Sequence, residues 1–160
     1  MKIVIVGCGR VGASAAEVWD AAGHEVIILD LEVRAFERLP SSFGGTAIRG
    51  DGTDEDVLRR AGAEGADILL SLTEGDNRNI MAAQLAQEAL RIERVVAKVN
   101  DPLRATAYAE LGVPTLCRTG LMLDAVSAHL GLPPSGLVGM QAATSPHPTS
   151  GLARGAATEA

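Results

Sequence analysis

The chain has 160 residues, enough for one domain with a substantial buried core, and a formal net charge of −6 from 14 basic and 20 acidic residues. Lys and Arg form no cluster and the few aromatic residues are scattered, so nucleic acid is not expected as a partner. No apolar run approaches the roughly 20 residues of a membrane helix, and the first run is too short for a signal peptide. We therefore expect a cytoplasmic protein that does not insert into the membrane.

A short apolar run, a turn and a helical stretch closed by glycine alternate through residues 1–131. Continuous apolar runs are typical of strands buried on both faces, and strands that alternate with helices pair in parallel. The predicted strands cover 2–6, 25–29, 46–49, 67–72, 95–99 and 114–117, and the predicted helices cover about 10–22, 32–39, 54–61, 77–90, 102–112 and 121–130. The predicted fold class is α/β, a Rossmann-type doubly wound and mainly parallel six-stranded sheet with helices on both faces.

Two of these helices have aspartates where an N-cap is expected. Asp76 is predicted to cap the helix that begins at Asn77. Asp101 is predicted to cap the next one, with Pro102 at the first helical position, where its missing N–H does no harm.

The composition changes at Pro133. In residues 133–160, 20 of 28 residues are Gly, Ala, Pro, Ser or Thr, with few large apolar side chains. Such a segment buries too little surface to offset its ordering entropy. We predict a nucleotide-binding domain over residues 1–132 and a disordered tail over residues 133–160.

The run Gly7-Cys8-Gly9-Arg10-Val11-Gly12 follows a predicted strand and opens a predicted helix. In the Gly-x-Gly-x-x-Gly fingerprint, Gly7 permits the tight turn, Gly9 lets the backbone approach a pyrophosphate, and Gly12 lets the helix pack closely on the strand. The helix N-terminus then offers unpaired N–H groups to phosphates. We interpret this turn as a nucleotide site rather than as a glycine-rich turn without a ligand.

Asp30 ends the second strand, 18 residues after Gly12, where a carboxylate accepts hydrogen bonds from the adenosine ribose. The same carboxylate repels a 2′-phosphate, and Leu31 brings no compensating charge, so NAD(H) is favoured over NADP. The alternative role for Asp30 is to cap the next helix.

Several further residues follow strands or lie within the turn, and each has a structural alternative. Arg10 is predicted to contact phosphate, or else to be a solvated first-turn arginine. Asp51 and Thr53 are placed at the adenine edge and Thr73 on the phosphate and ribose side, although each could equally be a turn or cap residue. Lys98, inside a buried strand, reaches ligand phosphates or pairs with a carboxylate.

The two cysteines and three histidines lack metal-ligand spacing, so no protein-bound metal and no disulfide are predicted. Cys8 is interpreted as a small filler of the turn rather than a redox sensor. The last helix carries apolar residues on more than one face, which indicates either a partner surface or a small buried helix: Leu121, Met122, Leu123, Val126 and Leu130.

Residues 1–131 resemble the N-terminal domain of the RCK/KTN family, the TrkA-type regulators of potassium channels and transporters. The matching segments are 3–12, 23–30, 50–54, 75–79, in which Asp76 and Asn79 have the family's spacing, and 99–102. The resemblance implies a domain that binds NAD(H), ATP or ADP without chemistry and whose nucleotide state changes the angle between paired domains. A ring of such domains acts on a membrane pore.

The residues that the resemblance assigns to the nucleotide divide by subsite. Gly7, Gly9, Arg10 and Gly12 take the phosphates and Asp30 the ribose, while Asp51, Gly52 and Thr53 line the adenine side and Thr73 and Lys98 close the cleft. The predicted contact set is completed by Cys8, Val11, Leu31 and Leu72. The family often has arginine at position 98, so the lysine weakens any inference of two-point phosphate binding there.

We expect a stand-alone regulatory subunit without the C-terminal TrkA-C domain of the family. It is expected to form a homodimer or larger ring and to pair with a chain carrying the remaining domains and with an integral-membrane potassium channel or transporter.

Two other functions remain open. A small NAD-dependent oxidoreductase would need an acid–base group, and Tyr108 lacks the lysine of a Tyr-x-x-x-Lys pair because Gly112 stands there. The second alternative is a scaffold protein that is stabilised by a nucleotide but has no sensing role.

Overall fold

The strand β1 (Lys2–Val6) lies at the centre of the fold in the computed structural model, which describes residues 1–137 and 139–141. Ile3, Val4 and Ile5 are at most 1% exposed, because β1 has a strand on each side and helices over both faces. A run of β-branched residues without polar alternation suits this position.

Seven strands form one sheet in the order β3-β2-β1-β4-β5-β6-β7, and the first six pair in parallel, which confirms the predicted Rossmann-type class. The other strands are β2 (Glu25–Asp30), β3 (Thr46–Arg49), β4 (Ile68–Ser71), β5 (Arg94–Val99), β6 (Thr115–Cys117) and β7 (Met140–Gln141). The α-helices are α1 (Arg10–Ala21), α2 (Glu55–Arg60), α3 (Asp76–Glu88), α4 (Pro102–Glu110) and α5 (Arg118–Leu130).

The two faces of the sheet bury separate cores. Val4 and Val6 point to the face covered by α2, α3 and α4, whereas Ile3 and Ile5 point to the face covered by α1 and the segment after β2. This alternation follows from the two-residue period of a strand. None of the helices in the described part of the chain combines the length and apolar character needed to cross a bilayer.

The strand order reverses between β1 and β4, since the chain runs outward through β2 and β3 before it returns to β4. At such a switch point the loops after the two neighbouring strands diverge to opposite faces and leave a crevice at the carboxyl ends of the strands. The glycine turn follows β1 and the Thr73–Gly75 turn follows β4, so both turns border this crevice.

Two local predictions differ from the structure, and a third is confirmed. The expected helix over 32–39 is a 3-10 helix at Val33–Arg38, because Pro40 holds Leu39 in an extended conformation and shortens the segment. Asp76 is not a cap: α3 begins one residue earlier, at Gly75 as N-cap, and the Asp76 carboxylate instead accepts hydrogen bonds from Asn100. Asp101 does cap α4, by accepting from the backbone of Leu103.

The segment after α5 returns to the sheet. Met140–Gln141, which the sequence places in the tail, pairs antiparallel with β6 as β7 and adds a strand to the predicted six. Residues 142–160, and the disorder predicted for them, lie outside the described residues.

Candidate functional site

Two glycines of the first turn are required by the fold itself. Gly7 has a φ of +106°, and its N–H donates to the Leu29 carbonyl at 2.7 Å. A Cβ on Gly12 would lie 2.0 Å from the Gly7 carbonyl oxygen, a backbone atom that has no room to move. These contacts hold the start of α1 tightly against the end of β1, as the fingerprint predicts.

Gly9 differs, because nothing in the described part of the chain requires a glycine there. Its φ is −75°, and a Cβ built on it would meet no atom of the described residues within 4 Å, its chain neighbours aside. Gly9 is also the N-cap of α1, without a side-chain cap and without an acidic residue in the first turn. The N–H groups that begin α1 are thus left for an external acceptor, and an anionic group fits the open space beside them.

A cleft of about 910 Å³ lies over this turn and the ends of β2, β3 and β4. Nine of the sequence-predicted residues line it: Gly7, Cys8, Gly9, Asp30, Leu31, Asp51, Gly52, Leu72 and Thr73. The remaining five do not. Arg10 and Val11 are exposed on the first turn of α1, Gly12 is buried beneath it, and Thr53 and Lys98 lie outside the lining.

Asp30 joins the glycine turn to the segment after β2. Its Oδ2 accepts the Cys8 N–H at 2.7 Å and its Oδ1 accepts the Glu32 N–H at 2.9 Å. Asp30 is therefore not the cap of the following 3-10 helix, whose N-cap is Glu32 without a side-chain cap. Each oxygen of the Asp30 carboxylate keeps a second lone pair for other donors. The half-buried carboxylate lines the cleft, where ribose hydroxyls could reach it.

The loop after β3 is held by its own side chains. Asp51 Oδ1 accepts from the backbone N–H of Thr53 at 2.9 Å and from its hydroxyl at 2.7 Å. These two hydrogen bonds keep the pKa of Asp51 below its usual value, and Arg78 lowers it further. Gly52 has a packing role, since a Cβ there would lie 2.3 Å from Val6.

Asn79 organises the turn after β4, a role that only its family-like spacing hinted at in the sequence. It is fully buried, and its Oδ1 accepts from Ser71 Oγ, Thr73 N and Thr73 Oγ1 at 3.0, 2.8 and 2.6 Å. Its Nδ2 donates to the carbonyls of Thr73 and Lys98. The amide thus ties β4 to β5 and fixes Thr73 at the cleft.

Lys98 is 8% exposed and lies in β5 on the sheet face opposite α3 and α4. Burial lowers the pKa of its ammonium, as does Arg118, whereas Asp76 and Glu74 raise it. The Lys98 ammonium forms no hydrogen bond or ion pair within the described residues, so the predicted carboxylate partner stays at longer range.

Cys8 is fully buried, and its Sγ lies 3.3 Å from the Ala35 carbonyl oxygen. Burial raises the pKa of the thiol, and the Asp30 carboxylate raises it further. A buried thiol with a raised pKa is a poor nucleophile, in agreement with its interpretation as a filler of the turn.

Several charged residues of the cleft were not predicted from the sequence. Arg34 and Arg38 of the 3-10 helix line it, as does Arg78 of α3, together with Glu32, Glu37 and Glu74. Arg34 and Arg38 face the cleft because of how the 3-10 helix is rotated about its axis, and the sequence of so short a segment does not reveal this orientation. Arg78, two residues into the helix after β4, could have been suspected from its place near the switch point.

The fold and this cleft define a Rossmann-type nucleotide-binding domain. Residues 3–119 match the model of the TrkA-N domain family, and the chain belongs to that family. The Trk system potassium uptake protein TrkA of Streptomyces coelicolor is 43% identical over 130 residues, which cover 81% of this chain and 58% of the relative.

Two solved structures are similar in fold and are each 25% identical to this chain over the aligned residues. The C-terminal domain of Kef from Shewanella denitrificans in its AMP-bound form has a TM-score of 0.64 at 25% identity, covering 82% of each chain. The GsuK RCK domain has a TM-score of 0.59 at 25% identity and covers 71% of this chain and 24% of the other. The chain spans about half the length of the curated relatives that it matches, with 58% and 49% of two TrkA proteins covered.

Proposed function

We propose that this protein is a cytoplasmic regulatory subunit that binds an adenine nucleotide, NAD(H) or ATP/ADP, in the cleft over the glycine turn. The observation that carries the proposal is Gly9: the fold leaves its Cβ direction empty and the N-terminus of α1 uncapped. Phosphates are the natural acceptors for such N–H groups. The similar Kef domain, whose structure holds AMP, supports an adenine nucleotide as the ligand.

The ligand would be held mainly by three groups of this chain. The free N–H groups at Gly9 and the start of α1 would take phosphate, and Asp30 would accept ribose hydroxyls. The loop at Asp51 and Gly52 would border the adenine. These residues bind and orient a nucleotide, and nothing in their chemistry calls for a reaction on it.

The regulated partner would be an integral-membrane potassium channel or transporter. This part of the proposal rests on the similarity to TrkA potassium uptake proteins and to an RCK domain. A nucleotide would control the transporter if it binds one arrangement of the paired domains more tightly than another. A ligand shifts a conformational equilibrium only to the extent that its affinities for the two states differ.

Pairing of two copies would use α5. Five apolar side chains on this helix are between 40% and 63% exposed: Leu121, Met122, Leu123, Val126 and Leu130. Exposed apolar side chains grouped on one helix in this way are unfavourable in water and typical of an interface. We assign this surface to contact with a second copy of the chain, because a two-fold symmetric dimer uses the same patch on both subunits and needs no other surface.

A calorimetric titration of the purified protein with NADH, NAD⁺, ATP, ADP and NADPH, with NADH absorbance followed over hours, tests the binding half. Saturable binding without NADH consumption, weakened in Gly9→Ala, is expected. Absence of binding by any nucleotide would refute the proposal, and steady NADH consumption with an added substrate would favour the small oxidoreductase instead.

The transport half is tested in the host organism by deleting the gene and measuring potassium uptake from low-potassium medium. Uptake should fall and should be restored by the wild-type gene but not by the Gly9→Ala variant. Unchanged uptake after deletion would argue for a scaffold without a regulatory role.

A further inference from the structure

On the β4 side of the cleft, the hydrogen-bond donors of Thr73 are already used within the protein, whereas the side chain of Arg78 is not. Thr73 lines this side, but its backbone N–H and its hydroxyl both donate to Asn79 Oδ1, at 2.8 and 2.6 Å. Arg78 lines the same side from the first turns of α3 and is exposed. Among the described residues its side chain forms no hydrogen bond and no ion pair. The Arg78 guanidinium is therefore a side-chain donor that remains free on this side of the cleft.

The strand order determines which part of a nucleotide would reach this side. Asp30 ends β2, the glycine turn follows β1 and Thr73 follows β4, and these strands are neighbours in the order β2-β1-β4. This step rests on the proposed function: if the ribose lies at Asp30 and the first phosphate at the N-terminus of α1, further phosphates extend toward β4. They then approach Arg78.

The negative charge on the β4 side of the cleft calls for a cation if phosphates are to bind there. The carboxylate of Glu74, next to Thr73, lines this side and would repel a phosphate chain. Arg34 and Arg38 follow β2 and lie at the adenosine end, so they are placed to act on every adenosine ligand alike. The guanidinium of Arg78 already acts on the Asp51 carboxylate through space, so it lies within electrostatic range of the loop opposite.

We propose that Arg78 is a specificity-determining residue, which contacts the phosphates beyond the first and makes this cleft prefer ADP and ATP to AMP. Arginine suits this role because its planar fork donates two parallel hydrogen bonds to phosphate oxygens. The residue comes from α3 of the same chain, so the discrimination requires no second subunit.

Titration of the full chain with AMP, ADP and ATP tests this assignment. In the wild type, ADP should bind about tenfold more tightly than AMP, the effect of one strong hydrogen bond to a charged group. In Arg78→Gln the two dissociation constants should come within about twofold of each other while the AMP constant is unchanged. Arg78→Lys should give an intermediate ratio, since lysine keeps the charge but loses the fork.

Arg34→Gln is the matched control, an exposed arginine lining the other end of the same cleft. It should change the affinity for the three nucleotides by the same factor. Three results would overturn the assignment. The wild type could bind AMP and ADP with equal affinity, or Arg78→Gln could lower the affinity for all three nucleotides by the same factor. The third is that Arg34→Gln, instead of Arg78→Gln, abolishes the preference for ADP over AMP. A wild-type protein that binds none of the three would refute the proposed function itself, which is a different result from binding without phosphate preference.

Discussion

The Asp30 carboxylate accepts the backbone N–H of Cys8 at 2.7 Å, a contact across 22 positions of the sequence. It links the end of β2 to the turn that follows β1, so the carboxylate proposed for the ribose and the turn proposed for the phosphates are positioned by the same hydrogen bond. The position of Asp30 relative to the turn is therefore fixed before any ligand arrives, which reduces the ordering cost of binding.

Asp30→Ala should both destabilise the fold and weaken nucleotide binding. It leaves the N–H groups of Cys8 and Glu32 without their acceptor, which should cost about 1 to 3 kcal/mol of unfolding free energy. Urea unfolding measures this loss. Asp54→Ala, at an N-cap outside the cleft lining, is the control: it should cost about 1 kcal/mol and leave the nucleotide affinity unchanged. A stable Asp30→Ala protein with normal affinity would contradict both roles.

Gly9→Ala and Gly12→Ala should separate binding from folding within one motif. At Gly9 the added Cβ meets open space, so stability should stay within about 1 kcal/mol while nucleotide affinity falls at least about tenfold. At Gly12 the Cβ overlaps the Gly7 carbonyl oxygen, and the unfolding free energy should fall by about 3 kcal/mol. Urea unfolding and calorimetric titration of both variants check this. The reverse pattern would disprove the assignment of the two glycines.

Asn79→Ala should be among the most damaging single changes outside the apolar core. It removes the acceptor of three donors and leaves the Lys98 carbonyl without this partner, which should cost about 3 kcal/mol or more. Asn77→Ala, on the exposed side of the same helix, should stay within about 0.5 kcal/mol. Thermal unfolding of the two variants gives the comparison. Equal melting temperatures would show that the buried network contributes nothing.

The apolar surface of α5 should hold two copies together. The double variant Met122→Glu and Val126→Glu, at positions 63% and 45% exposed, should sediment as a folded monomer, because charges at an apolar interface are desolvated without partners. Leu103→Glu on α4, where the side chain is 83% exposed, is the control and should sediment like the wild type. A monomeric wild type in the same experiment would remove α5 as the interface.

The sheet and the roles of Gly7 and Gly12 could be predicted from the sequence, because apolar runs and glycine spacing are local signals. The partner of Asp76 could not, since Asn100 lies 24 positions away and a capping role was locally just as reasonable. The strand β7 escaped prediction for a similar reason: Met140–Gln141 joins the sheet through backbone pairing with β6 and has no apolar periodicity of its own.

The cleft itself was only partly predictable. Residues that directly follow strands, such as Asp30 and Thr73, were identified because the ends of parallel strands converge at one edge. Arg34, Arg38 and Arg78 come from helical segments, and whether such a side chain faces the cleft depends on the exact rotation of the segment. Lys98 is the opposite case. Its position in a strand suggested that it would reach the cleft, whereas in the structure it is buried and does not line the cleft.

Hydrogen–deuterium exchange of the backbone amides, with and without saturating ADP or NADH, would locate a bound nucleotide on the chain. Protection should be strongest at the amides of Gly9 to Gly12, with weaker protection at Thr73 to Arg78 and little change on α4. Binding that leaves the Gly9–Gly12 amides exchanging as in the free protein would contradict a nucleotide site at this turn.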